Sequence, residues 1–266
     1  MKIYPKTRKS HRWNEDRFIV GKDYFVVIDG ATPLKKSGQF NEARWMVDYL
    51  KKNFKRYSGD IKYRLQRLCE DAYNDLPVKL SDEDYLPTAS ACWAELSQKK
   101  IKIGILGDCE VTAVTKDGKI IRFYDDKLEG LDKKAIDEMV SVAKEKNLRI
   151  EEARKFIQET LIRHRKLANK KDGYFVLSLS PSVQINEKSY EIDAENVKTL
   201  YLYSDGFSQA FTNLKIYPDH REMFEKIEGL DAEIKKIVDV SFGDEKLDKY
   251  PRFKKIDDVT VVKIDF

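Results

Sequence analysis

No run of about 20 mostly apolar residues, the length a membrane-spanning helix needs, occurs in these 266 residues. The opening Met1-Lys2-Ile3-Tyr4-Pro5-Lys6-Thr7-Arg8-Lys9 carries charge with no apolar stretch behind it, so it is not expected to be a secretory signal. Cysteine is scarce: Cys69, Cys92 and Cys109 are odd in number and never spaced CxxC. They read as reduced thiols of a cytoplasmic protein, without a disulfide framework or a thiolate zinc site. Histidine is equally sparse. His11, His164 and His220 lie far apart, and HExxH is absent, which argues against a His-rich metal site or a Ser-His-Asp triad. Also missing are GxxxxGK[ST], a GxGxxG after a strand, and GxSxG, which removes the usual phosphate loops and the nucleophile elbow. Ser97-Gln98-Lys99-Lys100 is formally SxxK but reads as a turn between strands. A surplus of one charge is missing as well. Fifty basic against 46 acidic residues leave +4, too little to imply a nucleic-acid or membrane partner. The local basic patch at 163–171 reads as a solvated helix end.

What the chain does have is aromatic weight: 13 Phe, 14 Tyr and 3 Trp, enough for a core and too many for a disordered segment. Residues 17–29 read as two strands around Gly21-Lys22. Residues 40–57 and 60–76 read as helices, from the spacing of Ala43, Met46, Val47 and Leu50 and of Ile61, Leu65, Leu68 and Ala72. Strands follow at 88–96, 100–107, 110–116 and 119–124, the last two joined by an Asp117-Gly118 turn. Residues 131–168 read as two helices broken near Asn147. Strands are expected at 174–179 and 199–204, a helix over 219–240, and a last strand from Val259 to Phe266. Strands cluster in hairpins instead of alternating singly with helices, which predicts an α+β fold of antiparallel sheets covered by helices.

The informative residues are carboxylates at strand ends. Phe25-Val26-Val27-Ile28 runs into Asp29-Gly30, and Ile103-Gly104-Ile105-Leu106-Gly107 runs into Asp108. Leu200-Tyr201-Leu202-Tyr203-Ser204 runs into Asp205-Gly206, Asp257-Asp258 opens the last strand, and Glu15-Asp16 precedes the first apolar one. An Asp-Gly pair after a strand is ordinarily a turn. Asp117-Gly118 and Asp172-Gly173, in polar surroundings, fit that description, but five acidic strand ends do not reduce to turns so simply. Gathered carboxylates repel unless a cation neutralises them. Oxygen-only ligands select hard cations, Mg²⁺ or Mn²⁺. Two such ions about 4 Å apart lower the pKa of a water and aim it at phosphorus. The pattern therefore points to metal-dependent phosphate hydrolysis.

Those residues resemble the metal-dependent protein serine/threonine phosphatases of the protein phosphatase 2C (PPM) type, through six short motifs in the family's order. They are Asn14-Glu15-Asp16, Val27-Ile28-Asp29-Gly30, Pro87-Thr88-Ala89-Ser90-Ala91, Gly107-Asp108-Cys109, Ser204-Asp205-Gly206-Phe207 and Asp257-Asp258-Val259-Thr260. The resemblance implies a β-sandwich of two antiparallel sheets flanked by α-helices, a four-layer αββα arrangement, in a single domain over residues 1–266. It also implies a centre of two Mn²⁺ or Mg²⁺ ions. Asp29 would bridge them, the Gly30 carbonyl would bind one, and Asp205 and Asp257 would hold the other. Glu15 and Asp16 would bind metal waters, and Asp108 would belong to a third, weaker ion. Asp258 would have a supporting role. A bridging hydroxide would attack the phosphoserine or phosphothreonine phosphorus directly. The expected partner is a phosphoprotein substrate, met by a cytoplasmic monomer with no nucleic-acid or membrane partner.

Asp172 to Ser178 and Leu202 to Ser208 further resemble a bacterial branch, with Asn169 at the place of an asparagine upstream of its GYW-like strand. The chain also departs from the family. The phosphate-binding arginine, four residues before the Glu of the first motif, is replaced by His11, with Arg12 one place later and Arg17 and Arg44 as substitutes. The residues after Gly30 are Ala31-Thr32-Pro33, so the usual imidazole proton donor is missing and water or another acid must protonate the leaving group. These departures motivate the alternative of a pseudophosphatase acting as a binding module.

Overall fold

A computed structural model describes residues 1–10, 12–31, 40–78, 86–180, 182 and 184–266. His11 and Thr32-Pro33, which carry two of the departures above, lie outside the described residues.

The hairpin-rich pattern of the sequence becomes two antiparallel sheets. The first contains β1 (Lys2–Arg8), β11 (Val259–Asp265), β10 (Val197–Tyr203), β6 (Glu110–Thr115) and β7 (Ile120–Phe123), in that order across the sheet. The second runs β2 (Asp16–Val20), β3 (Tyr24–Ala31), β4 (Thr88–Leu96), β5 (Lys100–Leu106) and β9 (Lys188–Asp193), with the short β8 (Leu177–Ser178) also paired to β4. Alternate residues of both sheets, among them Phe25, Val27, Cys92, Ile103, Val111, Leu200, Leu202 and Val262, fill the space between them. The intervening residues face outward and are buried too, because helices cover both outer faces.

On the second sheet lie α1 (Glu42–Asn53) and α2 (Ile61–Asn74). Their Met46, Val47, Leu50, Leu65 and Leu68 pack on Val26, Ile28, Ala91 and Trp93. Each helix starts at an acidic or amide cap: Asn41 accepts from the Arg44 N–H and Asp60 from the Tyr63 N–H. On the first sheet lie α6 (Asp205–Ser208), α7 (His220–Lys226) and α8 (Leu230–Gly243), where Phe207, Phe224 and Ile234 meet Tyr201, Tyr203 and Val261. Between the sheets' excursions run α3 (Asp126–Lys146), α4 (Ile150–Ala153) and α5 (Gln158–Arg165), with their own small cluster around Met139 and Ile157. The fold is thus α+β, two antiparallel sheets flanked by helices.

The differences from the sequence reading have physical causes. Strand β1 alternates Lys, Tyr, Lys and Arg around Pro5 and sits at a sheet edge, where charge and proline are tolerated. Strand β9 is an edge strand as well, with half its residues exposed. Of the expected 174–179 strand, Tyr174 makes an isolated bridge to Ala168, and Leu177–Ser178 pairs with β4. Before it, the Val176 N–H donates to Asn169 Oδ1 and Asn169 N–H to Tyr174 O, a local turn in which Asn169 takes φ +58°. The helix ending at Lys146 closes at Asn147, with φ +52° and its N–H on Ala143 and Lys144 O. The second helical segment then divides into α4, a 3₁₀ turn and α5.

Candidate metal centre

Five chain segments deliver acidic side chains to one end of the sandwich. Asp16 opens β2 and stands directly opposite Asp29 of β3, which in turn stands opposite Ser90 of β4. Strand β5 leaves β4 after Leu106, and Gly107 turns the chain with φ +68°. A Cβ there would lie 2.1 Å from Ser90 Oγ, so glycine is what lets Asp108 follow so closely. The Asp108 N–H then donates to Ser90 Oγ at 3.3 Å. Asp205 is the first residue of α6, one residue after Ser204 at the end of β10. Asp257 immediately precedes Asp258 and β11.

The Ser204 hydroxyl joins the two sheets here. Ser204 Oγ donates to Asp16 Oδ2 at 2.7 Å and accepts from the Thr260 N–H at 3.0 Å, while Ser204 N–H donates to Thr260 O at 3.0 Å. Asp258 makes a second tie. Its Oδ1 accepts from Ser10 N–H and Oγ at 2.6 and 2.8 Å, and its Oδ2 from Glu15 N–H at 2.6 Å. Glu15 is fixed on three sides: its carbonyl accepts from Gly30 N–H at 3.0 Å and its Oε1 from Asn41 Nδ2 at 2.6 Å. Asp258 thus ties Ser10 and Glu15 to the base of β11.

The remaining carboxylates are crowded instead of satisfied. Oxygen atoms of Asp29 and Asp108 and the Cys109 sulfur all lie within 4.8 Å of one another. The Asp29 and Asp205 carboxyls lie against each other in the cluster. Burial raises Asp29 well above the ordinary carboxylate range, and Asp16, Asp205, Asp108 and Asp257 push it further. Burial likewise raises Asp205, with Asp257 and Asp108 adding to it. Asp108 is raised by burial against a hydrogen bond from Ser90. Burial raises Asp16 to about 7, opposed by the Ser204 hydrogen bond and helped by Asp258 and Asp257. Asp16 is 1% exposed, and its Oδ1 is buried with no hydrogen-bond partner among the described residues. Half-buried Asp132 of α3 is also raised to about 7, by burial and then by Asp108.

This donor set fits a hard divalent cation. It is all oxygen apart from one thiol, it holds several mutually repelling carboxyls, and it includes an orphaned buried oxygen on Asp16. Burial holds the Cys109 thiol well above its usual range, with the neighbouring Cys92 thiol adding to it.

The three arginines are placed differently from one another. Arg17 is bound to Asp48, with Nε on Oδ1 and Nη2 on the same atom at 2.6 Å, and its Nη1 donates to Asn14 O and Asp16 O. These contacts use four of its five N–H donors, so it braces the start of β2. Arg44 pairs with Asp48 at 3.3 Å and stacks over Trp13 at 4.4 Å. Arg12 covers Trp13 as well, at 4.7 Å, and is exposed, with no hydrogen bond or ion pair to the described residues. Trp13, 41% exposed, is thus a rim residue between two guanidinium groups. In the basic patch, Arg165 of α5 turns inward to the Thr88 hydroxyl.

Sequence reasoning missed Asn41, which orients Glu15, and Lys254, whose Nζ lies 2.8 Å from Asp257 Oδ1. An asparagine before an amphipathic helix signals a cap, but its second contact crosses 26 residues of chain.

A family model described as Protein phosphatase 2C matches residues 6–239. The structure is similar to that of the serine/threonine phosphatase Stp1 from Staphylococcus aureus, at 14% identity and TM-score 0.57, covering 100% of this chain and 94% of that one. It is similar also to the catalytic domain of the serine threonine protein phosphatase PstP in complex with two manganese ions (14%, TM-score 0.56, 99% and 97% covered). A third is the PPM Ser-Thr phosphatase MsPP from Mycobacterium smegmatis in complex with cacodylate (15%, TM-score 0.55, 100% and 98% covered). Identities this low show a shared fold. No curated protein matches the sequence.

Proposed function

The chain belongs to the protein phosphatase 2C family, whose model spans residues 6–239, and from that premise we propose that it hydrolyses phosphoserine and phosphothreonine in phosphoprotein substrates with the help of two divalent cations. The observation that carries the reading is the meeting of Asp29, Asp108, Asp205 and Asp257, from four separate segments, with Asp29, Asp108 and Asp205 raised by burial and by the neighbouring carboxylates.

Asp29, the Gly30 carbonyl, Asp205 and Asp257 would hold two Mn²⁺ or Mg²⁺ ions, and Asp108 would serve a third. When bound, the ions supply charge neutralisation and a water of lowered pKa for attack on phosphorus. The protein's own residues prepare that step. Ser204 fixes one oxygen of Asp16 and leaves the other, Oδ1, free to orient water. Asn41 and Asp258 fix Glu15 for the same task. Gly30 lets the chain pass close under the site: a Cβ there would lie 2.9 Å from Glu15 O. Arg12, exposed at the rim, binds the substrate phosphate, a role that Arg17 cannot take while it braces Asp48. Position 31 is alanine, so the leaving alkoxide takes its proton from solvent. Residues 1–266 act as one catalytic domain, as a monomer. Three buried free thiols are consistent with a reducing, cytoplasmic setting.

Purified protein is expected to hydrolyse p-nitrophenyl phosphate in Mn²⁺ and not in EDTA, and Asp205→Asn is expected to lower kcat at least about 100-fold by removing a ligand. Arg12→Ala is expected mainly to raise KM. Activity that survives both EDTA and Asp205→Asn would contradict the proposal.

A further inference from the structure

Lys254 lies three residues before Asp257, in the segment that links α8 to β11, and its ammonium points into the carboxylate cluster. Its neighbour Lys255 points away, with Nζ 2.9 Å from Glu245 Oε1. The orientation is built into the segment. Arg252, 2% exposed, donates to Lys255 O at 2.9 and 3.2 Å, Tyr250 O at 2.7 Å, Ser241 O at 3.0 Å and Asp244 Oδ2 at 2.8 Å. Asp244 also accepts from the Lys249 and Tyr250 N–H groups. A buried guanidinium thus pins the segment on both sides of residue 254 to the end of α8. A surface lysine held by nothing but its own partner would show no such frame.

The ammonium also acts beyond Asp257. Its charge counters the rise at Asp205 and at Asp108. In return, although burial favours the neutral amine, Asp257, Asp205 and Asp29 hold Lys254 above the ordinary lysine range. A single positive charge inside a group of carboxylates lowers their mutual repulsion, and a divalent cation does the same more strongly. The two cannot share Asp257 Oδ1 at hydrogen-bonding and coordination distance without repelling each other.

We propose that Lys254 is a resident counter-ion of this centre: it occupies Asp257 while no divalent cation is bound and competes with that cation for the carboxylate, so that it sets the affinity of the site for metal. The inference rests on the proposed metal-dependent function. It makes Lys254 a positioning residue, which acts through Asp257 and touches no substrate. Its side chain is 35% exposed, so solvent screens the pair and the effect is moderate.

The test is calorimetric titration of Mn²⁺ into metal-free protein, comparing wild type with Lys254→Met and Lys254→Arg, beside thermal denaturation in EDTA. Lys254→Met is expected to bind Mn²⁺ about fivefold to tenfold more tightly and to melt earlier than wild type in EDTA. Lys254→Arg, which keeps the charge, is expected to stay within about twofold of wild type. Mn²⁺ affinity in Lys254→Met equal to or weaker than wild type would overturn the inference. If that variant does not fold, acetic anhydride labelling of wild type decides: Lys254 is expected to label faster with Mn²⁺ than with EDTA, and unchanged labelling would overturn the inference. Wild type that binds no Mn²⁺ at all would overturn the proposed function along with it, whereas normal wild-type binding with no gain in Lys254→Met overturns this inference alone.

Discussion

Asp16 is the carboxylate most at odds with its surroundings. It is buried between two sheets with one oxygen on the Ser204 hydroxyl and the other on nothing described. A group whose pKa is raised by folding binds its proton more tightly in the folded than in the unfolded state. Its stabilising contribution is complete below about pH 4 and is lost as pH climbs through the folded value. Asp16 and Asp132 both reach about 7, and Asp29, Asp108 and Asp205 are raised as well. In EDTA the melting temperature is therefore expected to fall between pH 5 and pH 8. Saturating Mn²⁺ is expected to remove most of that slope, since a ligand that binds only the folded protein stabilises it. Differential scanning fluorimetry across pH, with and without Mn²⁺, checks this. An apo melting curve that is flat or rises over that range would speak against the crowded-carboxylate account.

The elements place these residues through a few close approaches. Helix α6 starts so near the base of β11 that a Cβ on Gly206 would lie 1.8 Å from Asp258 O. Gly206→Ala therefore has to push apart the two segments that carry Asp205 and Asp257. It is expected to cost about 1–3 kcal/mol, typical of overpacking, and to weaken Mn²⁺ binding in variants that still fold. Chemical denaturation and Mn²⁺ titration read the two effects, and a variant with wild-type stability and affinity would mean that the approach is not constraining. The same elements show what was legible beforehand. Strands β3 to β6 announced themselves as apolar runs, because each is buried over most of its length on both faces. Their acidic ends stood out for the same reason, as charges at the close of apolar runs, and Asp29, Asp108 and Asp205 are brought together at one end of the sandwich. Edge strands β1 and β9 were illegible, since half of each faces solvent and its composition looks like loop. Lys254 was illegible as well. Nothing in the sequence separates it from the other 49 basic residues, and its role comes from the Arg252 frame around it.

At the scale of the whole molecule, the centre is where two sheets are tied together. Ser204 and Thr260 from one sheet reach Asp16 in the other, and Asp258 holds the loop that brings Glu15 in. The motifs therefore span residues 14 to 260 because the site needs strand ends from both halves of the sandwich. The near balance of charge said little about partners. The placement of a few carboxylates, with one lysine among them, says much more about chemistry. The measurement that bears most directly on the central claim is phosphate release from a phosphothreonine peptide, titrated with Mn²⁺, for wild type and Asp29→Asn. Release is expected to rise saturably with Mn²⁺, to vanish in EDTA, and to be absent in Asp29→Asn at every Mn²⁺ concentration. No Mn²⁺-dependent release by wild type, or release by Asp29→Asn equal to wild type, would contradict it.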